Sequence, residues 1–488
     1  MKKLHILIVP MLLLSTGCSD WLELIPPQGL IRDEFWQSKE DVEAVVMGAY
    51  QSLASMDDKL FKFGEIRADM IIGDVNQLLD EQKISEGNIY PDNDLCRWNQ
   101  FYVVINYCNE VIYYAPQVQE LDNTFTDYQL QGYLSEVYFL RSLAYFYLVR
   151  IFNDVPYITE PTINDDVDVY QPKTDGEEIL RSVIKDLENA RKYATTDGYR
   201  TLAEIKARAT KASYDALLAD ISLWLFDYEA CISHVSKIEA NLDYLLMPSI
   251  RWFELYYPGN SLESIFELQY NQNRNQRNKI YGLTNHNSQN YDPSQKAIES
   301  FQKGGGVNEI YRGQDVSIKK FSDDDYIIWK YVGRAPDGIS ERSSFDQTSC
   351  NFIVYRLADV LLMQAEAYSQ LGRFDEADQI LSLIRARAGL QPRVLPASVQ
   401  AYEDAILEER ALELAFEGKR WFDLMRMGRR NNYSRKEKLI EILVANVPSI
   451  QKRILATKLT NPLGWYLPIH ELELERNINI VQNPYYDF

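Results

Sequence analysis

The sequence predicts a mostly α-helical protein: a tetratricopeptide-like helical-repeat scaffold that carries a loop-rich insert with short strands. Three observations predict it. Apolar residues recur at helical spacing through most of the chain. Two distant segments repeat one helix–turn–helix pattern. Between Phe253 and Asn351 the helical period stops, and polar residues with two short apolar runs replace it.

The elements follow in order. Met1 to Gly17 reads as a secretion leader, with Lys2 and Lys3 ahead of a largely apolar run from Leu4 to Leu14. That run is too short to span a bilayer, which takes about 20 residues. Ser15-Thr16-Gly17 precede Cys18, so small residues meet a cysteine at the cleavage point and Cys18 is the candidate lipidation site. Ser38 and Asp41 read as a capping box. Val42, Val45, Val46, Ala49, Tyr50 and Leu53 then mark one helix face. Trp98, Phe101, Tyr102, Ile105, Cys108 and Ile112 mark a second helix, Arg97 to Ala115, which Pro116 is expected to end. Tyr128 to Phe152 is apolar on most faces and predicts a buried central helix. Further helices are expected over Gly176 to Ala194, Leu202 to Leu225 and Tyr228 to Ala240.

A shift that carries Ala219 onto Ala365 also lays Asp220, Leu225, Tyr228, Glu229, Val235 and Ile238 on Glu366, Leu371, Phe374, Asp375, Leu381 and Ile384. Each copy is a helix, a tight turn followed by an aromatic, and a second helix. Gly372 suits a left-handed turn in the second copy. Stacked pairs of this kind bury one continuous core, so residues 18–488 are expected to form a single domain without a linker.

The insert, about residues 253–351, holds Ser264 to Tyr270 and Tyr326 to Gly333 as expected strands. Gln269 to Asp292 contains seven Asn and four Gln in 24 residues. Amides offer donors and acceptors together, and tyrosine offers a flat face with a polar edge. Those groups suit a neutral, hydroxyl-rich ligand, and Tyr281, Tyr291 and Trp329 are the candidate stacking residues. In a strand, Trp329 would share a face with Ile327 and Tyr331.

Composition excludes several classes. The formal charge of −20 disfavours nucleic acid, whose phosphates require a basic patch. Cys96, Cys108, Cys231 and Cys350 are too few for a disulfide scaffold in so long a chain. His234, His286 and His470 lie far apart and no metal-ligand spacing occurs, so no metal or cofactor is expected. Asp323-Asp324-Asp325 lacks the alternating spacing of a calcium loop.

From Glu403 to Arg430, charges and aromatics interleave. Arg410, Glu413, Glu417, Arg420 and Asp423 are expected to form a buried ion-pair knot. Glu413 and Glu417 resemble a catalytic carboxylate pair, but a general acid needs a raised pKa and neighbouring arginines would lower it. No catalytic residue is therefore assigned.

Within this stretch ELAFEGKRWFDLMRMG, from Glu413 to Gly428, resembles the C-terminal signature of the SusD/RagB-like nutrient-uptake lipoproteins. CSDWLELIPPQ from Cys18 resembles their lipidated start. Tyr355 to Leu390 resembles their repeat core, and Gly464 to Tyr486 their closing segment, with Pro468-Ile469-His470 where the family tends to carry Pro-Ile-Pro. The resemblance implies about four repeat pairs and a cell-surface lipoprotein of the bacterial outer membrane. It implies capture of an oligosaccharide or other nutrient for a TonB-dependent transporter, without catalysis. The membrane would be met through the lipid anchor only. It also directs attention to the loops over Phe61 to Arg97, with Asp69, Asp74 and Trp98 as candidate ligand residues. The alternatives by class are an all-helical glycoside hydrolase, which needs two carboxylates about 5–10 Å apart, and a protein–protein scaffold of tetratricopeptide type.

Overall fold

The structure, a computed structural model, describes residues 35–487 apart from 163–169, 197–198, 286–288, 304–310, 323–324, 336, 338, 446 and 448. Cys18, His286, Gly304–Gly306 and Asp323–Asp324 lie outside the described residues.

The helix Lys39–Ala54 starts at the expected box: Ser38 accepts from Asp41 N, and the Asp41 carboxylate accepts from Ser38 N at 2.8 Å. Its apolar stripe is buried against Asn99–Leu121, which in turn packs on Asp127–Phe152. Pro116 does not end the Asn99–Leu121 helix as expected. It sits in the exposed last turns, where the lost bond to a carbonyl costs little, and Gln117 Nε2 donates to Tyr113 O at 2.9 Å nearby. Asp127–Phe152 is buried on most faces and packs on Gly176–Ala190.

The expected helix from Leu202 to Leu225 is two helices, Leu202–Ala207 and Lys211–Trp224. Arg208 adopts an extended backbone and carries its guanidinium onto Glu136, with Nε 2.7 Å from Oε2. Ala209 N donates to Tyr50 Oη at 2.8 Å, and Thr210 caps the next helix through Ser213 N. A tertiary ion pair has overridden local propensity here.

The sequence repeat is a structural repeat. Lys211–Trp224 with Tyr228–Glu239, and Leu357–Gln370 with Phe374–Arg387, are adjacent pairs that pack on each other. Their turns match bond for bond: Asp227 N donates to Ser222 O at 2.8 Å, and Arg373 N to Tyr368 O at 2.9 Å. Gly372 is left-handed with φ of 73°. Phe226 occupies the same place in the first copy with φ of 65°, a conformation disfavoured for a bulky residue.

Antiparallel strands Ser264–Leu268 and Phe352–Arg356, both fully buried, close the base of the insert. Beyond them the insert is laced to the N-terminal loops, because Tyr291–Pro293 pairs with Ile71–Gly73. The second expected strand spans only Tyr326–Ile328, paired with Ile318–Lys320. Residues 329–332 leave the strand, mostly as a turn, so Trp329 does not alternate with Tyr331 on a strand face. Cys96, Cys108, Cys231 and Cys350 are buried free thiols.

Candidate functional site

The charged stretch forms a buried polar cluster and bears on whether chemistry is done there. The helix Val399–Glu413 ends in a turn, and Gly418 allows a second helix, Arg420–Tyr433, to begin. Gly418 has φ of 71°, and a Cβ on Gly64 would collide with the Gly418 carbonyl, so the two backbones meet there. The five charged residues divide among three groups rather than pairing with one another alone. Arg356 Nη1 lies 2.7 Å from both Glu263 and Glu413, and its Nε 2.9 Å from Glu417. Arg387 also bonds Glu413, and Arg312 approaches it at 3.2 Å. Lys330 reaches Glu417 at 2.8 Å and Ala415 O at 2.8 Å. In the second group Arg410 lies 2.9 Å from both Asp359 and Asp423, and Arg426 links Asp423 to Glu366. The third is Arg420 on Asp69.

Burial pushes the Glu413 carboxyl up, but the guanidiniums of Arg387, Arg356 and Arg312 outweigh it and hold Glu413 well below the usual carboxylate range. Burial acts likewise on Glu417, where Arg356 and Lys330 outweigh it. Neither carboxyl can serve as a proton donor near neutral pH.

Four of the six candidate ligand residues are buried. Asp69 forms a two-point bond with Arg420, and Ser294 Oγ donates to its backbone carbonyl. Tyr291 Oη donates to Glu81 Oε2 at 2.7 Å beneath the strand pair. Trp329 is 2% exposed, with Lys319 Nζ 3.9 Å from its ring centroid. Its indole packs with Ile327, Val332 and Phe253. Trp98 is 3% exposed, edge-on to Tyr102 and Phe152. Asp69, Tyr291 and Trp329, expected to meet a ligand, are buried and engaged by contacts within the chain. Asp74 and Tyr281 are half-buried. Asp74 lies where the two expected loop regions meet: its N–H donates to Asn290 O at 2.8 Å, and Asn290 Nδ2 donates to Asn76 O at 2.6 Å.

The amides of the insert have a structural use. Asn278 Nδ2 donates to Gln347 O and Cys350 O while its Oδ1 accepts from Tyr281 N. Gln269 reaches Ala203 O, Asn285 reaches Gln347, and Gln289 reaches Asp292. A segment with little regular structure satisfies its backbone through such side chains.

An aromatic groove opens instead above Trp98. It has a volume of about 530 Å³ and lies between the start of the Asn99–Leu121 helix, Pro156 to Ile158, and the C-terminal segment. Tyr102, Tyr107 and Tyr170 present rings, and Asn99, Asn106 and Asn477 present amides. Tyr102 is fixed by donating to Pro156 O at 2.7 Å. Asn106 Oδ1 accepts from Thr162 N, which ties the 156–162 segment to the helix. Tyr107 and Tyr170 were not among the expected residues. Tyr107 stands off the apolar stripe of its helix, a signal legible in the sequence; Tyr170 and Asn477 arrive from distant segments.

The SusD family model matches residues 245–486, and a second family model, described as starch-binding associating with outer membrane, matches residues 20–223. A SusD-like protein of Formosa agariphila is 27% identical over 484 residues, covering 87% of this chain and 92% of the relative. Another from the same organism is 25% identical, with 99% of each covered. A SusD superfamily structure from Bacteroides vulgatus covers 92% of this chain and 100% of its own at TM-score 0.76 and 19% identity. A laminarin-binding SusD-like protein covers 92% of this chain and 99% of its own at TM-score 0.71 and 21% identity. With both halves of the chain matched and the repeat scaffold shared, the chain belongs to the SusD/RagB-like family.

Proposed function

We propose that this protein is an outer-membrane lipoprotein that captures an oligosaccharide and passes it to a TonB-dependent transporter, without catalysing its breakdown. The groove above Trp98 carries the reading. Its tyrosine rings suit the C–H faces of pyranoses, and the exposed amide of Asn99 suits their hydroxyls. Two comparisons support the ligand class: a family description that names starch and a relative described as laminarin-binding. The leader and Cys18 support lipid anchoring, and the family description supports association with the outer membrane.

The test is a panel of neutral oligosaccharides incubated with the parent protein, Tyr107→Ala and Tyr170→Ala, with binding and product release both measured. Binding by the parent, weakened in either variant, with no product is the expected result. Product release would move the protein into the hydrolase class. Unaltered affinity in both variants would move the ligand out of the groove.

A further inference from the structure

A second cavity, which shares no lining residue with the groove, has the marks of a different ligand. It measures about 770 Å³ and lies between the start of the Asp127–Phe152 helix, the 192–196 segment, the Leu202–Ala207 helix and the 241–244 turn. Tyr128 and Tyr193 stand at its walls, 56% and 41% exposed. Tyr128 Oη and Thr195 Oγ1 are 2.9 Å apart, which ties one wall to the next. Lys206 lines it as well, on a helix whose cap is set by Thr201 and Glu204.

Lys206 is unlike the other buried lysines. Four lysines are buried among the described residues. Lys62 lies 2.7 Å from Glu81, Lys330 2.8 Å from Glu417, and Lys419 2.8 Å from Asp359. Lys206 is 1% exposed, and among the described residues its ammonium has neither a hydrogen-bond acceptor nor a carboxylate within ion-pair distance. Its contact is the face of Tyr244, with Nζ 3.9 Å from the ring centroid. Burying an ammonium without a counter-charge is unfavourable, and a tyrosine face offsets it only in part. Burial pulls Lys206 down to about 8, against the carboxylates of Glu267 and Asp243. Lys192 and Lys211 also line the cavity, opposed by Asp127 and Asp243. An incoming anion would therefore meet three ammonium groups and two carboxylates.

We infer that this cavity is a binding site for an acidic sugar, its carboxylate taken by Lys206 and its pyranose ring laid against Tyr128 or Tyr193. A charged acceptor on a buried ammonium makes a strong, short bond, and the exposed rings supply the stacking surface that a simple anion would not use. This deepens the glycan-binding reading in ligand class alone; none of the groove residues takes part.

The experiment titrates the full chain with a hexuronate oligosaccharide and, separately, with neutral oligosaccharides. The variants are Lys206→Met, Tyr193→Ala and Tyr107→Ala. The expected result is that Lys206→Met weakens uronate binding about tenfold or more, since a charge-assisted bond is lost, and leaves neutral binding as it was. Tyr193→Ala, at an exposed position that folding does not need, should weaken uronate binding too and serves if Lys206→Met fails to fold. Tyr107→Ala should leave uronate binding unchanged. Uronate that binds the parent no more tightly than its neutral counterpart would overturn the proposal, as would unchanged uronate affinity in Tyr193→Ala or in folded Lys206→Met. Loss of neutral binding in the parent with uronate binding intact would refute the groove and leave this site standing.

Discussion

Arg420 grips Asp69 at two points, Nε to Oδ1 at 2.7 Å and Nη2 to Oδ2 at 3.0 Å, with both residues buried. The pair ties the loop ahead of the Ile71–Gly73 strand to the C-terminal signature, and it engages both carboxylate oxygens of Asp69 within the chain. Burial pushes the Asp69 carboxyl up, and Arg420 outweighs it to hold the group below its usual range. Asp69→Asn leaves a buried guanidinium without its counter-charge. It should lower the unfolding free energy by about 3–5 kcal/mol, read by urea denaturation, while oligosaccharide affinity of the folded fraction stays at the parent value.

Glu417→Gln should act in the same way. Glu417 receives Arg356, Lys330 and Tyr256 Oη, and Lys330 belongs to the insert. Loss of about 3–5 kcal/mol is expected, with a lower melting temperature and unaltered binding. A variant of parental stability that no longer binds sugar would place ligand chemistry in the ion-pair knot.

Trp329→Ala separates packing from stacking. The indole is buried with Ile327, Val332 and Phe253. Its removal should cost about 3–5 kcal/mol through the cavity it leaves, whereas Tyr170→Ala, at an exposed ring, should cost little stability and about 1 kcal/mol of glycan affinity. Titrations at low and high salt should agree for a neutral ligand, because few counterions are released.

The pH dependence has two arms. Burial pushes Glu65 up to about 8, with Gly418 N and Lys419 N donating to its carboxyl in opposition. A carboxyl with a raised folded pKa holds its proton in the native state while the unfolded chain has released it. Its stabilisation is thus complete below the unfolded value of 4.5 and lost as pH rises to about 8. The slope is at most about 1.4 kcal/mol per pH unit. Glu65→Gln should remove that slope from a series of urea titrations. In the other arm, burial raises Asp359 and Glu366, and outweighing cations hold both at about 2: Lys419 and Arg410 for Asp359, Arg426 and Arg430 for Glu366. Their contribution is present above the unfolded values and lost as pH falls toward 2, so acid unfolding should begin below about pH 4.

Cys18→Ala tests the anchor. The variant should leave the membrane fraction for the soluble one, and intact-mass measurement of the native protein should show a lipid-modified N-terminus.

The sequence by itself determined the scaffold. Helix faces such as Val42 to Leu53 follow from a period of 3.6, which is local information, and the repeat that carries Ala219 onto Ala365 was readable because both copies close the same turn. It also determined that Glu413 and Glu417 would sit among cations, since charges interleaved with aromatics have few other places to go. Only the tertiary structure decided which charges pair. Arg356 and Lys330 reach Glu417 across 61 and 87 positions, distances no periodicity reports. It likewise decided where the aromatics face. The amides of Gln269 to Asp292 looked like ligand groups because composition cannot tell an amide that bonds a sugar from one that bonds the chain's own carbonyls. The groove above Trp98 was hidden for the converse reason: it draws Tyr107, Tyr170 and Asn477 from three separate segments, and only folding brings them to one wall.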